Sequence, residues 1–202
     1  MAIHPLPARR LLDVPEPRPA LWTLAGVAGR LVEVIGAEDS AALTLVAGLI
    51  LDAQEEGEQV AWIGPTETSF FVPDFFENGV DLNALVVVRV TDAPACARTA
   101  DKLLRSGAFG VVIIDTGADP RIPAPLLARL AALAQRAHAA LIFLTQQSGT
   151  SSLGSLVSLR VRARRQRLAA DRFRCWLEVT KDKRRGPTWG YEEVCRGAPG
   201  MR

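Results

Sequence analysis

The sequence predicts an α/β fold: a mostly parallel sheet flanked by helices, with antiparallel strands added at the carboxyl-terminal end. Three observations carry this. Almost wholly apolar runs recur at Leu31 to Ile35, Val60 to Gly64, Leu85 to Val90, Gly110 to Thr116 and Ala140 to Thr145, and strands of that kind belong to parallel sheets covered on both faces. The runs are separated by segments long enough for helices, the alternation of βα crossover folds. From Ser155 the texture changes to "LVSLRVRARRQ", then "FRCWLEVTK" and "WGYEEV", an alternation of apolar and polar residues that suits antiparallel strands extending the sheet.

Taken in order, residues 1–28 hold Pro5, Pro7, Pro15, Pro17 and Pro19 and no periodic pattern, which predicts an extended or irregular arm ahead of a single domain, 29–202. The first strand ends at Gly36, and an uncharged segment with apolar residues at helical density follows, giving a helix over Ser40 to Gln54. Helices are also predicted over Pro94 to Ser106 and along "APLLARLAALAQRAH", which places His138 at a helix end. Trp22, Trp62, Trp176 and Trp189 are read as core or edge packing. Cys96 falls in the first turn of its helix and is read as a quiet thiol.

Composition bounds the function. A chain of 202 residues, 49% hydrophobic and 23% charged, can bury one substantial core. Cys96, Cys175 and Cys195 have no metal-ligand spacing, so a reducing compartment and no metal centre are expected. The start "MAIHPLPARR" lacks the apolar run of a secretory signal, and the uncharged stretches are too short or too polar to span a bilayer, so a cytoplasmic location is expected. The net charge of +2 conceals an asymmetry: residues 1–154 carry 11 Lys/Arg against 17 Asp/Glu, residues 155–202 carry 13 against 5. The excess is concentrated in "RVRARRQRLAADRFR", which contains Arg160, Arg162, Arg164, Arg165, Arg167, Arg172 and Arg174. Seven arginines in this span exceed what solubility requires and mark a candidate surface for a partner protein or for weak, sequence-blind DNA contact.

The stretch "VEVIGAEDSAALTL" has the strand, turn and helix order of a phosphate-binding loop. Laid on the pattern G-x-x-x-x-G-K-[ST], however, Gly36 to Leu43 reads G-A-E-D-S-A-A-L, and only the first glycine matches. Ala41 narrows the space that a second glycine would leave open. Ala42 stands where lysine would neutralise phosphate, and Leu43 where a hydroxyl would ligate Mg²⁺. Charge-assisted contacts are worth about 1.5 to 3 kcal/mol each, so these losses would move a micromolar affinity to about millimolar. Glu38 and Asp39, in the same turn, would repel a polyphosphate. No nucleotide cofactor and no enzymatic activity are therefore expected.

Further stretches point to a family. "GVAGRLVEVIG" leads into the first strand with a glycine-arginine turn, "GVVIIDTGADP" puts Asp115 at the end of an apolar strand, and "ALIFLTQQ" puts Gln146 after the next one. Together with "GVDLNALVVVRV" and "VTKDKRRGP" they resemble, in order and spacing, the core of RecA. On that resemblance Gly36, Ser40, Ala41, Ala42, Leu43, Asp115 and Gln146 are relic positions of a nucleotide site, while Asp115 and Gln146 also suit plain roles as turn and loop ties. The region of Thr66 and Glu67, where RecA carries a catalytic glutamate, fits only with an inserted residue. A RecA-like chain without the lysine, a long DNA-binding loop or a separate carboxyl-terminal domain is similar to the ImuA family of damage-induced mutagenesis and to the related SulA-like cell-division inhibitors.

The ImuA resemblance implies a non-catalytic adaptor of the SOS response that supports translesion DNA synthesis. Its implied partners are RecA, an ImuB-type polymerase-like protein and an error-prone C-family DNA polymerase. The alternatives are a SulA-like inhibitor acting on a division filament and an atypical RecA-family ATPase.

Overall fold

A computed structural model describes residues 21–36, 40–65, 70, 75–76, 78–116, 121–146 and 153–196. Eight strands form one sheet: β1 (Leu31–Gly36), β2 (Val60–Pro65), β3 (Leu85–Val90), β4 (Val111–Asp115), β5 (Ala140–Gln146), β6 (Leu159–Arg167), β7 (Arg172–Asp182) and β8 (Gly190–Arg196). The described helices are α1 (Leu24–Val27), α2 (Ala42–Glu55), α3 (Ala93–Ser106) and α4 (Ala124–Ala137). The strand order is β3-β2-β4-β5-β1-β6-β7-β8. All pairings from β3 through β6 are parallel, and β7 and β8 add antiparallel strands. The predicted fold class holds, with one refinement. The antiparallel extension begins at β7, because β6 lies parallel to β1 with Glu33 opposite Arg160.

The apolar strands divide between two cores because side chains alternate across a sheet. On one face Val32, Val34, Trp62, Ile113 and Ile142 pack with α1 and α2, together with Leu159, Val161 and Ala163 of β6. On the other, Leu31, Ile63, Ile114, Leu141 and Phe143 pack with α3 and α4. Helix α3 starts at an Asp92 cap whose carboxylate accepts from the Ala95 amide at 2.6 Å, and Asp101 ties it to α4 through Arg129 at 2.6 Å. His138 ends α4 in the left-handed region, φ 55°, in the helix-end role read from the sequence. Trp22 and Trp62 are buried as expected.

The expected arm of residues 1–28 is shorter than predicted. Residues 21–28 belong to the folded unit: Trp22 is buried and donates its indole N–H to the Leu45 carbonyl at 3.0 Å, and the Leu24 amide donates to Asp52 at 2.6 Å. The apolar "LWTLAGV" carried this signal, but the preceding prolines masked it. Residues 1–20 lie outside the described set.

A buried ion pair locks the ends of three strands together. Arg30, just before β1, donates to Asp182 at 2.5 Å and to the hydroxyl and carbonyl of Ser158, both at 3.0 Å. Asp182 also accepts from the Trp189 indole at 2.9 Å and the Arg184 amide at 2.8 Å. Burial alone would push the Asp182 carboxyl up, but the Arg30 guanidinium, the Arg184 amide and the Trp189 indole outweigh it and hold it below the usual carboxylate range. Burial in turn draws Arg30 below its ordinary value, partly offset by Asp182.

Removing one partner of such a pair strands the other charge, at a cost of about 3 to 5 kcal/mol. Asp182→Asn should lower unfolding stability by that order in urea titrations at pH 7. Because the folded pKa is depressed, Asp182 contributes fully above the ordinary carboxylate pKa of about 3.9 and loses that contribution as pH falls through the lower folded value. The acid-side decline in stability should therefore be shallower in the variant than in the parent. Equal slopes would remove Asp182 from the acid response.

Candidate functional site

The carboxyl ends of β1, β4 and β5 lie side by side, where ligands bind in open α/β sheets. Gly36 is opposite Gln146 and Asp115 opposite Leu144. The structure thus brings together the strand ends that carry Gly36, Asp115 and Gln146. Asp115 is buried and Gln146 exposed. Beside them, Thr116 donates its amide and hydroxyl to the Leu144 carbonyl at 3.1 and 3.0 Å, closing the end of β4 against β5.

Where α2 begins, the described residues 40–43 are packed into the fold. Ala41 and Ala42 belong to the apolar core, Ala41 with no exposed surface, and Leu43 packs against the same cluster. Ser40 turns back over the strand end, where its hydroxyl accepts from the Ala42 amide at 3.2 Å. A Cβ on Gly36 would run into that hydroxyl and lie 3.1 Å from the Ala42 methyl. The surviving glycine therefore has a local reason to be glycine: it admits the chain's own serine. Glu38, Asp39, Thr66 and Glu67 lie outside the described residues.

Cys96 is buried in α3, and burial, with Asp115 and Asp92 nearby, pushes its thiol up to about 11. It is a quiet thiol, as read from the sequence. All three cysteines are free. No group of three or more His, Cys, Asp or Glu among the described residues has the arrangement of a metal site. Among them, too, no helix is long and apolar enough to cross a membrane.

The arginine cluster does not form the one free surface that its sequence predicts. Alternation along β6 places Arg160, Arg162 and Arg164 on the α3/α4 face of the sheet and Arg165 and Arg167 on the other. Arg160 is structural: its Nε donates to the fully buried Glu33 at 2.5 Å, and it donates to the Gly154 carbonyl at 3.0 Å. Glu33 also accepts from the Leu153 amide at 3.2 Å. Arg167 donates to the carbonyls of Ala169 and Ala170, closing the β6–β7 turn. Arg165 lies over the Phe173 ring at 5.0 Å, and Arg172 is exposed at the start of β7. Arg164 pairs with Glu178 at 3.3 Å, and Arg174 grips Glu192 with two bonds of 2.6 Å while lying over Trp176 at 5.5 Å. Arg174 holds the Glu192 carboxyl below its ordinary range.

Two residues that hold the basic strands in place are not marked as such in the sequence. Glu33 breaks the apolar run "LVEVI", a visible anomaly, but its partner is 127 positions away. Asp182 was hidden among the charges of "VTKDKRRGP".

Comparison with known proteins fits this geometry. Residues 21–146 match the family described as the RecA N-terminal domain. The chain is 36% identical over 89 residues to a protein RecA of Nocardioides sp., covering 44% of this chain and 25% of that one. It is 35% identical over 88 residues to that of Chlorobium limicola, with the same shares, and 28% identical over 138 residues to that of Rhodospirillum rubrum, covering 58% of this chain and 37% of that one. The matched region spans between a quarter and just over a third of these relatives.

The two classes of arginine should separate in a stability assay. Arg160→Gln leaves a carboxylate buried without its cation and should cost about 3 to 5 kcal/mol. Arg164→Gln removes a half-exposed pair and should cost no more than about 1 kcal/mol. Urea unfolding of both variants checks this; similar midpoints would contradict the division.

Proposed function

This chain belongs to the RecA N-terminal domain family, and from that premise we propose that it is a RecA-fold adaptor that neither binds nor hydrolyses nucleotide. The observation that carries the reading is the phosphate turn. Ala41 and Ala42 are built into the apolar core, Leu43 packs on it, and Ser40 occupies the space over Gly36. A phosphoryl-transfer site works by positioning and by cationic stabilisation of phosphate charge. Position 42 carries no lysine and position 43 no hydroxyl.

An adaptor of this kind keeps the RecA scaffold as a docking shape. The similarity to the ImuA family supports a role in SOS mutagenesis, with RecA as one partner and an ImuB-type polymerase-like protein and an error-prone C-family polymerase as others. The retained core supports contact with RecA, since one compatible face suffices to add a terminal subunit without continuing a filament. The basic end of the sheet, β6 to β8, supplies the partner surface.

Calorimetry with Mg-ATP should show no binding tighter than about millimolar, and micromolar binding or steady turnover would overturn the reading. Electron microscopy of the purified protein should show no long helical filaments without RecA. In cells treated with a DNA-damaging agent, affinity capture should recover RecA and polymerase; recovery of a division filament protein alone would favour the SulA-like alternative.

A further inference from the structure

The face of β6 to β8 on the α3/α4 side carries Arg162, Arg164, Trp176, Glu178, Arg174 and Glu192 by strand alternation. Such a polar face can simply meet water, but three of its features point to a ligand. Arg162 is half-buried between Ile35 and Glu178 in register, and its Nε is shielded from water with no hydrogen-bond acceptor among the described residues. A desolvated donor of this kind costs free energy until an acceptor arrives. Val194, opposite Arg174, is 61% exposed. Trp176 and the arginines are the residue types that dominate protein interfaces.

We propose that this face binds an acidic, extended segment of a partner protein, with one carboxylate taken by Arg162 and apolar side chains resting on Trp176 and Val194. The inference rests on the adaptor reading and names the chemistry of the partner. Side chains on one face of an extended chain repeat at about 6 to 7 Å, the spacing of Arg162 and Arg164 along β6. A nucleic-acid strand has a similar repeat, but exposed Val194 offers nothing to a phosphate backbone. Glu178 and Glu192 are already paired with Arg164 and Arg174, which leaves Arg162 to take a carboxylate. A protein segment carrying both a carboxylate and apolar groups suits Arg162 and Val194 together.

The test uses the full chain and three fluorescein-labelled probes: a twelve-residue peptide alternating Glu and Val, the same peptide with Gln for Glu, and a twenty-nucleotide oligothymidine. Anisotropy should show salt-sensitive binding of the Glu peptide and at least tenfold weaker binding of the Gln peptide. The double variant R162Q/R174Q should lose about tenfold affinity for the Glu peptide, equivalent to about 1.4 kcal/mol. Arg136→Gln, on α4, should retain it. Circular dichroism confirms that the variants are folded, and Arg162→Gln alone serves if the double variant is not. Failure of the Glu peptide to bind overturns the proposal, as does oligothymidine binding that depends on the same two arginines, which would make the face a nucleic-acid surface. These outcomes leave the adaptor reading to its own nucleotide and capture experiments.

Discussion

The buried pair of Arg30 and Asp182 is the constraint on which the rest of the structure turns. A charge in an apolar interior is tolerable only when paired and fully hydrogen-bonded, and here satisfaction requires groups from four separate places. Arg30 precedes the central strand, Ser158 precedes β6, Asp182 ends β7, and Trp189 precedes β8. The register of β6 and β7 shifts between Arg160 and Val161, leaving Thr180 as an extra residue. That one-residue bulge turns Asp182 to the side of Leu159 and leaves Lys181 on the side of Arg160. Without it Asp182 would face away from Arg30. The antiparallel extension is thus pinned to the parallel core by electrostatics as well as by ladder hydrogen bonds.

A second buried charge works in the same way one strand position further on. Glu33 holds Arg160 on β6 and the amide of Leu153, so β1 fixes both the edge of the arginine-rich strand and the chain approaching it. The positive charge concentrated after residue 155 therefore has two parts. Arg160 and Arg167 serve the fold, while Arg162, Arg164 and Arg174 face outward from the open sheet. An argument from charge density treats them alike, but burial and partners separate them.

The start of α2 is set by packing. Ala41 and Ala42 lie in the apolar core and Leu43 packs against it, while the Ser40 hydroxyl takes the space over Gly36. A methyl group at position 36 would collide with that hydroxyl, so a local contact holds the glycine in place.

Local pattern alone was enough to read the alternating apolar strands, the helices between them, the loss of phosphate-binding groups at Ala41 to Leu43 and the RecA likeness. The strands, helices and missing phosphate-binding groups follow from residues within a few positions of one another, and the RecA likeness from the order of such local stretches along the chain. The reach of the folded unit back to Trp22, the parallel entry of β6 into the sheet, the bulge at Thr180 and the division of the arginines depended on the fold. They are set by contacts between distant residues, from Trp22 with Leu45 to Arg30 with Asp182 and Glu33 with Arg160, the last two more than a hundred residues apart. The cost of burying an unpaired charge selects such partners only after the chain has brought them together, and nothing in either local stretch announces the other.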